Sequence, residues 1–333
     1  MIRSKNFFIL LSLLLTSVSC TSDISPILII GASGAIGTQL TKKLLDEGHQ
    51  VVAGLRMTAM PDDLANHPNL TSVFGVDCRN STSIDLLFSS HPVKTVWNLA
   101  APLSVETSSS PTLAYDTVVT GMSRILTSMS THNVKTILFS DSIGSYGSTS
   151  PRLHATARWL TENPTQDPGS DYGVLHRDES WGAGTTEYVL DAIKTSKENI
   201  YTYISTVPLH TYLPMIWRSD LIEGLYRLTV AEEGDLKEPE NGYAISGLSF
   251  TADEVLKVIK SKVDSFGYIY NEKVVEHPAE IFARLWPDSL SGVEAERDLK
   301  GFKAKVVDLE VIVDLLLGVK TETEGGETLK EEL

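Results

Sequence analysis

Three glycines at a regular spacing are the residues of this sequence best suited to bind phosphate. Gly31, Gly34 and Gly37 follow the short apolar run Ile27 to Ile30, which is typical of a buried parallel strand. Phosphate charge rests on free backbone N–H groups at a helix start, and a Cβ on the turn would hold the backbone away. The pattern predicts a dinucleotide site, with a plain strand-to-helix turn as the alternative. The predicted contacts are Gly31, Ser33, Gly34, Ala35, Ile36 and Gly37.

Two other strand ends supply candidates for the adenosine half of a dinucleotide. The second strand lacks the acidic residue that NAD-specific sites place against the ribose hydroxyls. Gly54 holds that place and Arg56 follows it. NADP therefore stays open beside NAD, since Arg56 could meet a 2′-phosphate, although a solvated surface arginine is an equal alternative. Asp77 and Cys78 follow the third strand, where an adenine edge could be met.

Small residues close the fourth strand, where a cofactor needs room to approach. The strand ends in the run NLAA, and the predicted contacts there are Leu99, Ala100 and Ala101. The neighbouring Asn98, together with Ser142 and Tyr172, is expected at the same edge of the sheet, because the carboxyl ends of parallel strands meet there.

Regular alternation of strand and helix patterns around these residues predicts an α/β fold. Ile36, Leu40 and Leu44 recur every four residues before Gly48, which predicts a helix with a glycine stop. Further strands are predicted at 49–55, 70–76, 94–99 and 135–139, and helices at 83–90 and 112–132. This order predicts a Rossmann-like doubly wound parallel sheet with its ligand at the strands' carboxyl ends. In the helix predicted at 112–132, the expected inner face consists of Leu113, Val118, Met122 and Leu126.

The second half of the chain predicts a smaller C-terminal lobe that covers the substrate. Helices are expected at 221–230, from a Thr251 cap to Val263, and at 307–317, with a short strand from Tyr243 to Ile245. The predicted division is a signal-like leader at 1–25, a dinucleotide-binding domain at 26–181, the substrate lobe at 182–319 and an acidic, disordered tail at 320–333.

The two ends of the chain resemble targeting signals. Arg3 and Lys5 precede an apolar core from Phe7 to Leu15, as in secretory leaders. The last four residues, KEEL, resemble endoplasmic reticulum retention signals. Together they predict the endoplasmic reticulum lumen or the secretory pathway, with the mitochondrion as the alternative.

Charge and cysteine content exclude several classes of partner. The 333 residues carry a formal charge of -15 and no clustered basic segment, so neither nucleic acid nor an anionic membrane surface is an expected partner. The two cysteines, Cys20 and Cys78, form neither a disulfide framework nor a metal-binding spacing. A small-molecule substrate is the partner that remains.

Taken together, several motifs resemble the L-threonine 3-dehydrogenases among the extended short-chain dehydrogenases/reductases. They are ILIIGASGAIG, NLAAPLS, SDSIGSYGSTSPR, DYGV, GAGTTEY, LPMIWRSD, AISGLSFT and LWPDS. The resemblance implies an NAD-dependent oxidation of the β-hydroxyl of L-threonine to 2-amino-3-oxobutanoate, or the oxidation of a similar hydroxy compound. It implies that Ser142 orients the substrate, that Tyr172 takes the alcohol proton, and that Ser104, Thr185 and Thr186 hold the amino acid. It also implies a possible homodimer.

The sequence departs from that family at the implied reaction centre. His176 stands where the family has a lysine that stabilises the tyrosine phenolate, and Val118 stands where it has an asparagine. Only ten positions separate Tyr172 from Gly182, too few for the family's helix and strand. We therefore expect one helix and one strand to be missing after Tyr172 and activity to be weak or absent. A mis-spliced transcript and a catalytically dead dinucleotide-binding protein are both open, and a nucleotide-sugar epimerase is a weaker alternative.

Overall fold

The structure is a computed structural model that describes most of the chain outside its two ends. The described residues are 25–102, 110–141, 143–146, 149–162, 188–198, 202–205, 207–232, 234–237, 242–270, 286–319, 321–322 and 328–329. None of the helices in these ranges has the length and apolarity needed to cross a membrane. The segment after Tyr172, where a missing helix and strand were expected, lies outside the described residues.

Five parallel strands form the central sheet of the described chain. They are β1 (Ile27–Ile30), β2 (Val51–Leu55), β3 (Leu70–Phe74), β4 (Thr95–Asn98) and β5 (Thr136–Phe139). Their order across the sheet is β3-β2-β1-β4-β5, and all the pairs are parallel. The order reverses on the two sides of β1, so the predicted Rossmann-like doubly wound sheet is confirmed.

Helices flank the sheet and build the second half of the chain. They are α1 (Ala35–Asp46), α2 (Asp62–Ala65), α3 (Ser81–Ser90), α4 (Pro111–Tyr115), α5 (Gly121–Thr131), α6 (Ala157–Glu162), α7 (Tyr188–Lys197), α8 (Arg218–Thr229), α9 (Ala252–Lys262), α10 (Val293–Asp298) and α11 (Leu309–Leu317). A π-helical turn, Asp116–Thr120, connects α4 to α5. The predicted glycine stop of α1 is confirmed, because Gly48 has a φ of +85° and its N–H donates to the Leu45 carbonyl oxygen.

One face of the sheet is covered by helices from both halves of the sequence. Ile29 and Trp97 pack there with Leu40 of α1 and with Ile222 and Leu225 of α8. The indole Nε1 of Trp97, a buried side chain, donates to the hydroxyl of Thr229 at 2.8 Å. The central sheet therefore depends on a helix that the sequence assigns to the other lobe. The division at residues 181 and 182 stays a prediction.

The other face packs on α3 and α5, and here the predicted inner face of the helix is wrong. Leu113 and Leu126 are 43% and 47% exposed, whereas Ile125 and Met129 lie in the core. The cause is a close approach at Gly121, where a built Cβ would lie 2.9 Å from the Cys78 Cβ. The helix turns Gly121 toward the sheet together with Ile125 and Met129, and Leu126 therefore faces outward.

The second half contains its own core and two small sheets. Residues of α7, α9 and α11 surround side chains such as Val255, Ile259 and Leu315. β7 (Tyr212–Met215) pairs antiparallel with β8 (Leu248–Thr251), and β6 (Tyr203–Ser205) pairs parallel with β9 (Tyr268–Tyr270). Sequence reasoning missed all four of these strands, whose runs are only three or four residues long.

Two predicted features of the second half are corrected by the structure. Tyr243 to Ile245 is not a strand; both side chains pack on the small cluster around α10, which explains their apolar alternation without a ladder. In the tail, predicted to be disordered, β10 (Thr321–Glu322) pairs antiparallel with β11 (Thr328–Leu329).

Replacing Thr251 with alanine is expected to lower the free energy of unfolding by about 1 to 2 kcal/mol. Thr251 caps α9 through a capping box: its hydroxyl accepts from the Glu254 N–H at 3.2 Å, and the Glu254 carboxylate accepts from the Thr251 N–H at 2.7 Å. Chemical denaturation measures the loss. Thr251→Ser keeps the oxygen and should retain most of the stability; equal losses in both variants would contradict the role of the cap.

Candidate cofactor site

The bend between β1 and α1 can be made only by glycine at its first position. Gly31 has a φ of +87°, and a built Cβ would lie 2.9 Å from the Ala100 nitrogen. Its N–H donates to the Gly54 carbonyl oxygen at 3.1 Å, which ties the bend to β2. A side chain at this position would be excluded both by the backbone conformation and by the neighbouring strand end.

Gly37 brings the helix against the strand. A built Cβ there would lie 2.3 Å from the Gly31 oxygen and 2.8 Å from the Ala32 Cα, both of them backbone atoms. Gly34, the residue before α1, is exposed at the tip of the bend, and its own Cβ would have 3.3 Å to the Gly31 oxygen. Close packing at Gly37 and open backbone at Gly34 are the roles that the sequence predicts.

The first turn of α1 offers backbone N–H groups to an anion. No side chain caps this helix, and its first turn contains no acidic residue. Hydrogen bonding within the helix begins with the Thr38 N–H, which donates to the Gly34 oxygen at 2.8 Å. The N–H groups of Ala35, Ile36 and Gly37 precede that bond, at the positive end of the helix dipole. This arrangement fits the diphosphate of a dinucleotide.

The end of β4 lies directly against the bend. The Leu99 N–H donates to the Ile30 oxygen at 2.9 Å, and the Ala100 N–H donates to the Asn98 side-chain oxygen at 3.3 Å. Leu99 and Ala100, which were predicted as cofactor contacts, therefore lie against the glycines. Ala101 follows them, and its contact with a cofactor stays a prediction. The amide of Asn98 holds this turn in place, and its spacing two residues before Ala100 is the signal for that role.

Asp77 and Cys78 follow the neighbouring strand β3. Hydrogen bonds hold the side chain of Asp77, and the side chain of Cys78 is buried. The Asp77 carboxylate accepts from the Arg79 guanidinium, at 2.6 Å for the nearest pair, and from the Arg79 N–H at 2.9 Å. These bonds to Arg79 lower the pKa of Asp77. Burial raises the pKa of the Cys78 thiol to about 11, so that thiol is neutral. Their contact with an adenine ring stays a prediction.

The structure brings together one part of the predicted site and leaves another part undescribed. The glycine bend and the end of β4 are in contact, and Arg56 and Asp77 follow the adjacent strands at the same edge. The proposed catalytic and substrate residues all lie outside the described residues: Ser104, Ser142, Tyr172, Thr185 and Thr186. The same applies to His176.

Sequence reasoning missed the π-helical turn at this edge. It contains Asp116, whose carboxylate accepts from Arg124 at 2.9 Å, and Val118, which is half-buried. Arg124 also donates to the Cys78 oxygen at 3.3 Å. Such turns are frequent at functional sites, but the apolar and polar pattern of this helix contains no signal for the extra residue.

Residues 27–201 match the family model described as the NAD dependent epimerase/dehydratase family. The chain belongs to this family. Curated members with a similar sequence include an uncharacterized epimerase/dehydratase of Staphylococcus aureus strain USA300. It is 26% identical over 322 residues, which cover 87% of this chain and 95% of that protein.

Solved structures of L-threonine dehydrogenases and of a UDP-glucose 4-epimerase share this fold. A partial consensus L-threonine 3-dehydrogenase superposes with a TM-score of 0.73 at 23% identity, covering 88% of this chain and 98% of that one. The holo form of a GalE-like L-threonine dehydrogenase from Cupriavidus necator has a TM-score of 0.73 at 22% identity, covering 88% and 99%. Thermus thermophilus UDP-glucose 4-epimerase, in complex with NAD, has a TM-score of 0.66 at 18% identity, covering 88% and 99%.

Proposed function

We propose that this protein is a nicotinamide-dinucleotide oxidoreductase of small hydroxy compounds, with L-threonine as the first candidate substrate. The observation that carries the proposal is the bend at Gly31 and Gly37, which the backbone can make only because both residues lack a Cβ. The bend leads into a helix whose first N–H groups have no side-chain cap. A bound nicotinamide ring supplies a hydride acceptor. The backbone of Ala35 to Gly37 would hold its diphosphate, and Leu99 to Ala101 would border the cofactor.

L-threonine is favoured over a nucleotide sugar by the motifs GAGTTEY and LPMIWRSD. The last residue of each motif has a structural role. Tyr188 is buried in the core of the second half, and the Asp220 carboxylate accepts from the N–H groups of Lys305 and Val306 at 2.9 Å each. These residues support the shared architecture. Recognition of the amino acid rests on Thr185 and Thr186, which is a proposal from the resemblance. The L-threonine dehydrogenases among the structural neighbours support the same choice.

The proposed reaction needs a proton acceptor for the substrate hydroxyl. Tyr172 is assigned that role and Ser142 the positioning of the hydroxyl, both from the sequence motifs. A tyrosine has an ordinary pKa near 10, so it is a poor base at neutral pH unless a cation stabilises its phenolate. His176 at the lysine position supplies little such charge. We therefore expect slow turnover.

The test is reduction of NAD or NADP by the full chain with L-threonine, followed at 340 nm. The proposal expects measurable turnover, slower than about 1 per second, that disappears in Tyr172→Phe. Conversion of a UDP-sugar without net cofactor reduction would instead indicate an epimerase. Turnover that persists unchanged in Tyr172→Phe would contradict the assigned base.

The second candidate function is dinucleotide binding without catalysis. It is favoured by Val118, a half-buried apolar residue where the related enzymes carry an asparagine, and by His176. Thermal stabilisation by a dinucleotide, combined with no turnover on any hydroxy compound, would distinguish this candidate. No stabilisation by NAD or NADP would remove both candidates.

Assembly and location are further proposals. A homodimer is supported by exposed apolar side chains after β4: Leu113 and Tyr115 on α4, Val119 on the π-helical turn and Leu126 on α5. Residence in the endoplasmic reticulum or secretory pathway is supported by the leader and by the KEEL end, with the mitochondrion as the alternative.

A further inference from the structure

The end of β2 presents a cation and no acceptor to a bound cofactor. Gly54 has no side chain, and a Cβ built on it would lie 3.3 Å from the Ile29 oxygen and 3.4 Å from the Val76 Cγ1. Leu55 is fully buried. Arg56 is thus the first side chain to leave the sheet at this edge, and it is exposed. A carboxylate at Gly54 would need the Ile29 carbonyl group to shift by a few tenths of an ångström.

The carboxylates nearest along the adjoining elements are already compensated. Asp77 is bound by Arg79 through both of its oxygens, with contacts of 2.6 to 3.2 Å. Asp116 pairs with Arg124 at 2.9 Å. The Arg56 guanidinium makes no hydrogen bond or ion pair with any residue that the structure describes, Asp62 and Asp63 of α2 included. Arg56 is therefore a cation at this edge that no described carboxylate pairs with.

The backbone places Arg56 where the adenosine ribose of a dinucleotide belongs. The Gly31 N–H donates to the Gly54 oxygen at 3.1 Å, so the phosphate bend is tied to a residue two positions before Arg56. On the other side, the Arg56 oxygen accepts from the Gly75 N–H at 3.3 Å, next to the segment that leads to Asp77. Hydrogen bonds from Arg79 are the main cause of the lowered pKa of Asp77, and the charge of Arg56 adds to them.

We propose that the adenosine end of the cofactor carries a 2′-phosphate, so that NADP is bound in preference to NAD, and that Arg56 determines this preference. The inference rests on the proposed function and deepens it, and it departs from the NAD named for the family. An arginine binds phosphate bidentately. A ribose with a free 2′-hydroxyl would instead need an acceptor, and the described end of β2 has none on its side chains.

The experiment uses calorimetry on the full chain with two matched pairs of ligands. One pair is NAD and NADP; the other is ADP-ribose and its 2′-phosphate, which need no reaction centre. The 2′-phosphorylated member of each pair should bind about tenfold to a hundredfold more tightly, and the ratio should fall as salt is raised. Arg56→Gln should remove most of this ratio and leave ADP-ribose affinity within about twofold.

Lys260→Gln is the control, because it removes one exposed positive charge from α9 in the other core. It should keep the full preference. Equal affinity for the two members of each pair, or tighter NAD, would overturn the inference and leave the proposed dinucleotide function intact. Binding of none of the four ligands would overturn the proposed function as well. A preference that persists in Arg56→Gln, with an unchanged melting temperature, would overturn the role of Arg56.

Discussion

Gly37→Ala is expected to abolish dinucleotide binding and to lower the free energy of unfolding by about 3 kcal/mol. The new Cβ would need the space held by the Gly31 oxygen, 2.3 Å away, and by the Ala32 Cα, 2.8 Å away. Neither atom belongs to a flexible side chain, so α1 must move away from β1. The movement would displace the N–H groups of its first turn from the phosphate position. Denaturation and the shift in melting temperature with NADP measure the two effects.

Gly48→Ala is the matched control for this substitution. Gly48 has a φ of +85°, so an alanine there strains the backbone, but a Cβ would meet nothing within 4 Å. We expect a loss of about 1 kcal/mol and an unchanged response to NADP. Equal losses of stability in Gly37→Ala and Gly48→Ala, with NADP binding kept in both, would contradict the prediction. Gly37 would then not be needed for the close contact of β1 and α1.

The second large effect is expected from Asp298→Asn, which should cost about 3 kcal/mol at neutral pH. The Asp298 side chain is buried at the end of α10 and accepts from three groups. The Arg297 guanidinium donates at 2.5 and 2.7 Å, the Tyr243 hydroxyl at 2.9 Å and the Lys237 N–H at 3.1 Å. An amide removes the charge that holds Arg297 and turns one of the acceptors into a donor.

The pH dependence of this loss identifies its cause. The Arg297 guanidinium holds the pKa of Asp298 well below its usual range. A depressed carboxyl pKa adds stability that is present above the pKa of the unfolded chain, about 4, and that disappears as pH falls further. The difference between the wild type and Asp298→Asn should therefore be complete at pH 7 and shrink below about pH 4. A difference that is constant over this range would indicate a packing defect instead of a lost charge.

Asp46→Asn is the control for a surface ion pair of the same type. Asp46 bonds to Lys42 at 2.6 Å on the exposed side of α1, where the two side chains are 57% and 48% exposed. The Asp46→Asn substitution should lower the free energy of unfolding by about 0.5 kcal/mol or less.

Asp220 responds to pH in the opposite direction, because burial raises its pKa and its contribution to stability declines as pH rises. It is present in all three proteins and cancels in the difference.

The glycine bend and the sheet could be predicted because their signals are local. Gly31 and Gly37 are each required by atoms within a few residues or on the adjoining strand, and the apolar runs of β1 and β2 are buried along their whole length. The inner face of α5 could not be predicted in this way. Two adjacent faces of that helix are apolar, and only the contact of Gly121 with Cys78 decides which one is buried.

The ion pairs near the carboxyl ends of the strands, where the cofactor is proposed to bind, could not be predicted from the sequence either. Asp77 and Arg79 are two residues apart, a spacing common on any surface, and only the structure shows the carboxylate held through both oxygens. The same applies to Asp116 and Arg124, eight residues apart across a π-helical turn. Sequence reasoning placed Arg56 correctly after β2 but could not show that the nearby carboxylates are occupied.

The position of α8 on the sheet has a consequence for the order in which the protein forms on the ribosome. The last strand of the sheet ends at Phe139, but α8 ends at Thr229, roughly ninety residues later. At about 5 to 20 residues per second, several seconds of synthesis separate the two. During that interval α8 is absent from one apolar face of the nascent sheet, so side chains that later pack against it, Trp97 among them, are exposed. We expect a chaperone to bind this face at that stage.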